Sequence, residues 1–180
     1  MSRYKKLDRN RLLDAAECVI LSKGAHTLSI GSVAAEAGVS RGGIQSNFGS
    51  REALIKALFD RWDIELADYN VRAKELAPEV TDPFELQIMA SRASHNEKPQ
   101  RAAAMMILMT QSEEQRKYAR DWFAEQISGL DLAVASDRKQ LLRYVAYEAL
   151  GMLKSLQITT LSDQDWQDLL EEFDCLFNAK

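Results

Sequence analysis

Two short amphipathic segments joined by a glycine stand out in the pattern of apolar and polar positions between residues 28 and 48. Their apolar positions recur at helical spacing, and Gly38 lies between them, where a left-handed backbone suits glycine. Ser29 and Ser40 precede the segments and are typical helix N-caps. The pattern predicts either a helix-turn-helix, whose second helix would enter the major groove of DNA, or an ordinary αα-hairpin. The apolar positions are Val33, Ala34, Ala37, Val39 and Ile44.

Longer helical patterns flank this motif. An amphipathic helix is predicted from Leu7 to Lys23, ending at Gly24, and a long helix is predicted from Ser50 to Leu76. The first helix and the motif make a three-helix unit, which we assign to residues 1–50. Residues 51–180 are then a second, helical domain.

Cap signals divide the rest of the chain into further helices. We expect them to begin near Asp82, Pro99, Ser112, Ser136 and Ser162. Glu85 is predicted to be the reciprocal cap of the helix at Asp82, and the polar stretch around His95 is predicted to be a loop. With the long helix included, the second domain has about six helices, and the fold class is all-α.

The run from Ala15 to Phe59 closely resembles the N-terminal domain of TetR-family transcriptional regulators. The resemblance implies a three-helix helix-turn-helix DNA-binding domain followed by a helical-bundle ligand and dimerisation domain. The family usually has tyrosine at the position of Gln45, and often histidine or tyrosine at Asn47, but both residues here can still donate hydrogen bonds. The motifs that carry the resemblance are Ala15-Ala16, Gly24, Val33-Ala34, Ala37-Gly38-Val39-Ser40, Phe48 and Ser50-Arg51-Glu52.

Charge is distributed in a way that agrees with a DNA-binding N-terminus. The whole chain has a net charge of −4, but residues 1–50 carry +3 and the remainder −7. Residues 2–11 form a basic arm, which could be a solvated tail but beside such a motif is predicted to contact phosphate or the minor groove. We predict that DNA is bound by Ser29, Ser40, Arg41, Gly43, Gln45, Ser46, Asn47, Arg51, Lys5 and Lys6.

Within that set, the recognition helix supplies the base contacts. Arg41, Gly43, Gln45 and Ser46 are predicted to face bases because they occupy this helix. Ser29, Asn47 and Arg51 are predicted to hold phosphates together with the basic arm.

The last two helices carry more apolar surface than one small core should need. Between Leu141 and Leu156 the chain is apolar on almost every side, and the final helix has one continuous apolar stripe. We predict a homodimer interface here, which the resemblance also implies, with a purely intramolecular core as the alternative. The predicted interface residues are Leu153, Leu156, Leu169, Leu170, Phe173 and Phe177.

Large, polarizable side chains fall on helices that should converge in the second domain. They could form an adaptable apolar pocket for a small molecule, although plain core packing explains the methionines equally well. The predicted wall, with Gln126 or Tyr147 as a polar handle, is Trp62, Leu66, Met89, Met105, Met109, Trp122, Gln126, Tyr144 and Tyr147.

Catalytic, metal-binding and phosphate-binding constellations are missing from the sequence. The two histidines, His26 and His95, lack metal-ligand spacing, and no glycine-rich phosphate-binding motif is present. Cys18 and Cys175 lack CxxC spacing and are predicted to pack as small apolar groups in a reducing cytoplasm. We therefore expect no enzyme, no metal and no cofactor. The N-terminus has no apolar segment of a signal peptide, and no run is long enough to span a membrane.

These observations leave two hypotheses for function. The first is a transcriptional repressor that binds a palindromic DNA operator as a homodimer and is released by a small apolar or amphipathic effector. The alternative is a ligand-independent DNA-organising protein of the same fold. A pocket in the second domain would separate the two.

Overall fold

A computed structural model describes residues 8–178 of the chain. Within that range it contains nine α-helices, a short 3-10 turn at Ala25–Thr27 and no strand, which confirms the all-α fold class. The helices are α1 Arg9–Lys23, α2 Ile30–Ala37, α3 Arg41–Phe48, α4 Arg51–Leu76, α5 Pro83–Glu97, α6 Pro99–Met109, α7 Glu113–Gln126, α8 Ala135–Ser155 and α9 Asp163–Asn178.

Capping side chains begin the helices close to the predicted positions. Asp8 accepts a hydrogen bond from the Asn10 amide at 2.9 Å, so α1 starts at Arg9 and not at the predicted Leu7, which lies outside the described residues. Ser50 accepts from the Ala53 amide at 3.1 Å at the start of α4. Such caps satisfy amide groups that have no partner within the helix.

An N-terminal core joins the three-helix unit to parts of two later helices. Besides α1, α2 and α3 it takes in the first two turns of α4 and one face of α6. Apolar packing therefore continues past residue 50, where we predicted the domain boundary, to Phe59. The buried members are Leu12, Leu13, Ala15, Ala16, Val19, Ile20, Ala25, Leu28, Val33, Ala34, Ile44, Phe48, Leu54, Ile55, Ala57, Leu58, Phe59, Ala104, Met105 and Leu108.

A smaller C-terminal core lies between α5, α8 and α9. Its buried members are Phe84, Ile88, Tyr144, Tyr147 and Phe173. Their rings meet edge to face, with centroids 5.3 Å apart for Phe84 and Tyr144 and 5.6 Å apart for Tyr147 and Phe173. Edge-to-face contacts of this kind are a favourable arrangement for aromatic pairs.

Several local predictions were wrong. His95 lies in the last turn of α5, not in a loop, and is buried. Glu85 does not cap α5, because its carboxylate accepts hydrogen bonds from Arg143 of α8, one of them at 2.9 Å. Cys18 and Cys175 do not pack in the interior, and both are exposed free thiols.

Candidate DNA-binding surface and effector cavity

The turn between α2 and α3 fixes the direction of α3. Gly38 adopts a left-handed backbone with φ of 66° and ends α2 by donating its amide to carbonyls of the preceding turn. Ser40 then caps α3, accepting from the Gly43 amide at 3.1 Å. Because Ile44 and Phe48 are buried against the N-terminal core, the opposite face of α3 points outward.

The residues predicted to read bases all lie on α3, and most of them are exposed. Arg41, Gln45 and Ser46 are exposed, and Gly43 is half-buried. The Arg41 guanidinium lies over α2, close enough that a Cβ added at Gly31 would be 3.1 Å from its Nε. The structure therefore brings these four residues together along α3, within one and a half turns of each other.

Two side chains of this set bond the backbone of their own region. Gln45 donates to the Gly49 carbonyl, and Ser46 donates to the Gly43 carbonyl at 3.1 Å. Gln45 keeps its Oε1 and a second amide hydrogen, and the Ser46 Oγ can still accept, so both retain groups for a base edge.

The residues predicted to hold phosphates fall into two groups. Ser29 and Ser40 cap α2 and α3, so their hydroxyls lie beside free amides at helix N-termini. Asn47 donates to the Gly43 carbonyl at 2.7 Å, and the Arg51 Nε donates to the Leu28 carbonyl at 2.7 Å. Arg51 thus ties α4 to the segment before α2. Lys5 and Lys6 lie outside the described residues.

Arg9 is a positioning residue that sequence reasoning missed. Its Nη1 donates to the Asn47 carbonyl at 2.9 Å, and its guanidinium lies 4.6 Å from the centre of the Phe48 ring. Arg9 therefore joins the start of α1 to the end of α3. The signal available in the sequence was only its place in the basic arm.

A cluster of ion pairs connects the N-terminal unit to α6. We use "α1–α4–α6 ion cluster" for Asp14, Glu17, Arg61, Glu65 and Arg101. Arg61 bonds Asp14 at 2.8 Å and also Glu17, and Arg101 bonds Glu17 at 3.0 Å and also Glu65. Glu17 is buried although it is charged, because both arginines surround it.

The charge state of Glu65 depends on the same cluster. Burial by itself would raise the pKa of Glu65, but hydrogen bonds from Arg101 and Lys98 outweigh it and lower the pKa below the ordinary value. Lys98 Nζ lies 3.1 Å from the Glu65 carboxylate. The cluster therefore favours the ionised form of Glu65.

A small cavity lies between α4, α5, α6, α7 and α8, where a pocket was predicted. Its volume is about 100 Å³. Trp62 and Trp122 line it with ring centroids 5.1 Å apart, and the buried Tyr144 is a further aromatic lining residue. The full lining is Trp62, Leu66, Gln87, Ser91, Ser94, His95, Ala102, Met106, Met109, Trp122, Tyr144 and Glu148.

The predicted pocket residues divide into two sets. Five of them, Trp62, Leu66, Met109, Trp122 and Tyr144, do line the cavity. The other four do not. Met105 is buried in the N-terminal core with 1% of its surface exposed, Tyr147 packs on Phe173 in the C-terminal core, and Met89 and Gln126 are outside the cavity lining.

Polar residues of α5 and α8 form hydrogen bonds at the cavity, and the sequence analysis did not predict this polar group. Ser91 donates a hydrogen bond to Glu148, and the His95 ring bonds Ser155 Oγ at 3.1 Å and Glu148 Oε2 at 3.4 Å. Gly151 makes room for this ring, since an added Cβ would lie 2.5 Å from His95 Cδ2. Burial, followed by the charge of Glu148, raises the pKa of Tyr144.

An open groove of about 530 Å³ lies on the outer side of Trp122, between α4 and α7. Trp122 and Leu66 line both the groove and the cavity. The Tyr118 hydroxyl crosses the groove and donates to the Asp63 carboxylate at 2.8 Å. Burial raises the pKa of Asp63, and the nearby charges of Asp60 and Glu125 add to that effect. The full lining is Asp63, Leu66, Ala67, Asn70, Tyr118, Asp121, Trp122, Glu125 and Gln126.

Apolar side chains on α8 and α9 remain open to solvent in the single chain. Leu142 is 64% exposed and Leu176 is 65% exposed. Of the predicted interface residues, Leu153 and Leu169 are exposed, whereas Leu156, Leu170 and Phe177 are half-buried and Phe173 is buried in the C-terminal core. The exposed positions on α8 follow helical spacing: Leu142, Val145, Ala149, Met152 and Leu153.

Comparison with known proteins identifies the N-terminal unit. The family model described as bacterial regulatory proteins, tetR family, matches residues 12–58, from α1 into α4. Residues 12–58 therefore match the N-terminal domain of this family. The matched segment ends beside Phe59, the last residue of α4 that is fully buried in the N-terminal core.

Solved structures extend the likeness to TetR-family regulators over the whole chain. A TetR-like transcriptional regulator from Rhodococcus sp. RHA1 is 20% identical, with a TM-score of 0.64 over 100% of both chains. The fatty acid degradation regulator FadR from Bacillus halodurans is 16% identical, with a TM-score of 0.64 over 99% of this chain and 97% of that chain. NalD, the secondary repressor of the MexAB-OprM multidrug efflux pump in Pseudomonas aeruginosa, is 22% identical, with a TM-score of 0.55 over 92% of both chains.

These likenesses establish that both parts of the molecule have the TetR-family fold. No curated protein matches the sequence. Among the described helices, none combines the length and the apolar character that crossing a membrane requires.

Proposed function

We propose that this chain is a DNA-binding transcriptional repressor that acts as a homodimer and is released from a palindromic operator by a small effector. The observation that carries the proposal is the α2–α3 motif inside a TetR-family domain, with the polar face of α3 exposed. The excess of positive charge in residues 1–50 supports the same function, because phosphate neutralisation supplies much of the affinity for DNA.

Base reading is assigned to Arg41, Gly43, Gln45 and Ser46. Arg41 is the strongest candidate because it is exposed at the first turn of α3 and its guanidinium can pair with guanine.

The test of this assignment begins with selection of a preferred duplex from random DNA. Arg41→Ala should then lose about 1–3 kcal/mol on the selected duplex but little on a scrambled one. Arg120→Ala, which removes an exposed arginine from α7, is the matched control and should bind both duplexes like the wild type. An unchanged preference in Arg41→Ala would contradict the assignment.

Phosphate contact is assigned to Ser29, Ser40, Asn47 and Arg51, together with Lys5 and Lys6. Arg51→Ala should weaken all duplexes alike and reduce the salt dependence of binding. Because Arg51 also bonds the Leu28 carbonyl, the variant should melt earlier than the wild type. Binding is therefore measured at a temperature where circular dichroism shows both proteins to be folded.

Dimerisation is assigned to the exposed apolar faces of α8 and α9. Pairing two such faces across a two-fold axis would bury apolar side chains that the single chain leaves in water. Light scattering of the wild type at micromolar concentration should give twice the chain mass of 20.3 kDa. A monomer at that concentration would contradict both the interface and the palindromic operator.

Two substitutions separate assembly from folding. Leu142→Glu or Leu176→Glu should produce a folded monomer, because both side chains are exposed in the single chain. Phe173→Glu should unfold the domain, because Phe173 is only 6% exposed and contacts Tyr147 and Phe177.

Release by an effector is assigned to the cavity beside α4 and α6. The cavity favours this function over ligand-independent DNA organisation, and α4 and α6 both reach from the cavity into the N-terminal core. A ligand that prefers one tilt of α4 would change the spacing of the two recognition helices. Moving that equilibrium from 1:99 to 99:1 takes roughly 5.5 kcal/mol of differential affinity.

A further inference from the structure

We propose that the effector is a hydrophobic organic cation whose charged group is held at Glu148, behind Trp122. This inference rests on the proposed release by an effector and names the chemical class of that effector. Three features carry it: the Glu148 carboxylate in the cavity lining, the aromatic side chains that share that lining, and the acidic groove beside Trp122.

Glu148 is the one carboxylate in the cavity lining. Its side chain is 25% exposed, and its contacts are the Ser91 hydroxyl and His95 Nε2. In the described part of the chain no lysine or arginine pairs with it, and none lines the cavity. A ligand ammonium placed here would gain Coulomb attraction in a poorly hydrated site, whereas a ligand carboxylate would be repelled.

The walls suit a cation that also has an apolar body. Trp62, Trp122 and Tyr144 surround the cavity, and the faces of such rings attract cations, tryptophan most strongly. Met106 and Met109 complete the wall with flexible, polarizable side chains that can adapt to an irregular ligand.

Gln87 supplies an independent sign that a ligand belongs here. It lines the cavity, and its buried Nε2 makes no hydrogen bond of good geometry among the described residues, although it lies near enough to the Tyr144 hydroxyl to oppose the rise in the pKa of that group. Buried donors without a partner are uncommon, and each represents an unfavourable free energy that an acceptor would relieve. An ether, hydroxyl or carbonyl oxygen of the ligand would satisfy this nitrogen.

The size of the cavity determines how much of the ligand it can take. Sites for drug-sized ligands are about 300–1,000 Å³, so the space of about 100 Å³ holds a small head group only. The adjoining groove of about 530 Å³ offers room for the apolar remainder along Leu66, Ala67 and the rings of Tyr118 and Trp122, once the Trp122 side chain rotates.

The groove itself selects for positive charge. Its lining includes the carboxylates of Asp63, Asp121 and Glu125, and no lysine or arginine of the described chain is among the lining residues. Lys117 pairs with Asp121, but from outside the lining, and leaves Asp63 and Glu125 to face the groove. A cation would be attracted along this route to Trp122, and an anion repelled.

The experiment compares three ligands that share one chain and differ in the head group. They are dodecyltrimethylammonium, dodecanol and dodecanoate, each used below the concentration at which it forms micelles. Binding is followed by tryptophan fluorescence in a Trp166→Phe background, so that the signal comes from Trp62 and Trp122. We expect the cation to bind best, about tenfold or more tighter than the anion.

The Glu148→Gln variant tests the charge at the proposed position. It keeps the size of the side chain and an acceptor for Ser91. The cation should lose about tenfold in affinity, dodecanol should be unchanged, and dodecanoate should improve. Glu79→Gln, in the exposed turn between α4 and α5, makes the same change in net charge and should alter none of the three.

Two results would overturn the proposal. One is equal or tighter binding of dodecanoate to the wild-type protein, which needs no variant and so does not depend on how Glu148→Gln folds. The other is unchanged cation affinity in a folded Glu148→Gln protein.

Binding to the selected DNA duplex, measured in the same samples, keeps this inference apart from the proposed function. If the protein binds DNA but does not prefer the cation, the ligand class is wrong and the DNA-binding function stands. If the cation binds at Glu148 without displacing DNA, the ligand class stands and release by this ligand is wrong.

Discussion

The N-terminal and C-terminal cores differ in how completely one chain can fill them. The N-terminal core has 20 buried apolar residues, and alanines among them let the helices approach closely. The C-terminal core has five buried residues in the described part of the chain, and most of the apolar side chains around it are only half-buried. The difference indicates that one chain buries the N-terminal core by itself. The C-terminal region leaves apolar side chains partly exposed, which a second molecule would have to cover.

The two regions also differ in where their buried polar side chains lie. In the C-terminal region, Ser91, His95, Glu148 and Ser155 occupy the interior between α5 and α8. In the N-terminal region Glu17 is buried only at the edge, inside the α1–α4–α6 ion cluster. Buried polar groups reduce the free energy gained by packing but allow a region to recognise another molecule.

Matched leucine-to-alanine substitutions should give the largest difference between the two cores. Leu54→Ala removes a fully buried side chain from the N-terminal core and should lower the free energy of unfolding by about 2–5 kcal/mol. Leu170→Ala, at a half-buried position on α9, should cost less at protein concentrations where the chain is monomeric. Urea denaturation of both variants at two protein concentrations measures the two losses of unfolding free energy. Equal losses at low concentration would contradict the proposed difference between the cores.

The sequence predicted the N-terminal region best, because the interactions that shape it are between residues close together in the chain. The caps Ser29, Ser40 and Ser50 and the left-handed Gly38 bond within their own turns, so a few neighbouring residues determine them. The cavity depends on helices that meet from distant parts of the chain. Ser91 and Glu148, for example, are 57 residues apart.

The sequence pattern of α6 explains why Met105 was wrongly predicted to line the pocket. This helix is apolar on nearly every side, so its periodicity could not show which methionine faces which core. Only the packing of α6 between α1 and α8 places Met105 in the N-terminal core and Met106 at the cavity.

The α1–α4–α6 ion cluster gives the second prediction, because it joins the two regions. Glu17→Gln should lower the free energy of unfolding by about 2–3 kcal/mol, below the 3–5 kcal/mol seen when fully buried pairs are broken, since Asp14 still pairs with both arginines. The control Glu36→Gln, in an exposed pair with Lys23, should change it by less than about 0.5 kcal/mol. Thermal melting followed by circular dichroism tests both variants, and equal melting temperatures would show that the Glu17 carboxylate does not stabilise the protein.

A substitution at Gly151 tests whether the C-terminal region tolerates added volume. Gly151→Ala would place a Cβ 2.5 Å from the His95 ring and should destabilise the protein by about 1–3 kcal/mol as the ring shifts. The shift would also disturb the bond between His95 and Glu148, so binding of dodecyltrimethylammonium should weaken. Gly129→Ala, at a site where a Cβ meets no atom within 4 Å, serves as the control for added volume.

The smallest expected effect is a pH dependence from Glu65. Its pKa is lower in the folded protein than the unfolded value of about 4.3, so its stabilising contribution is present above about pH 4.3 and is lost as pH falls through the folded pKa. In Glu65→Gln the free energy of unfolding should fall less steeply on acidification. Urea denaturation at steps between about pH 6 and pH 3 measures the two slopes, which should differ in that direction.

Helix α6 also restricts how the protein can diversify. Ala102, Met106 and Met109 line the cavity, while Ala104, Met105 and Leu108, on the neighbouring face, pack in the N-terminal core. A lineage that acquires a new effector by replacing Met106 must therefore keep the axis of α6 in place, or it alters the DNA-binding unit in the same step. Under the proposed function, we expect descendants to vary at Trp122 and Gln87 before they vary on α6, so that ligand preference changes while DNA binding is retained.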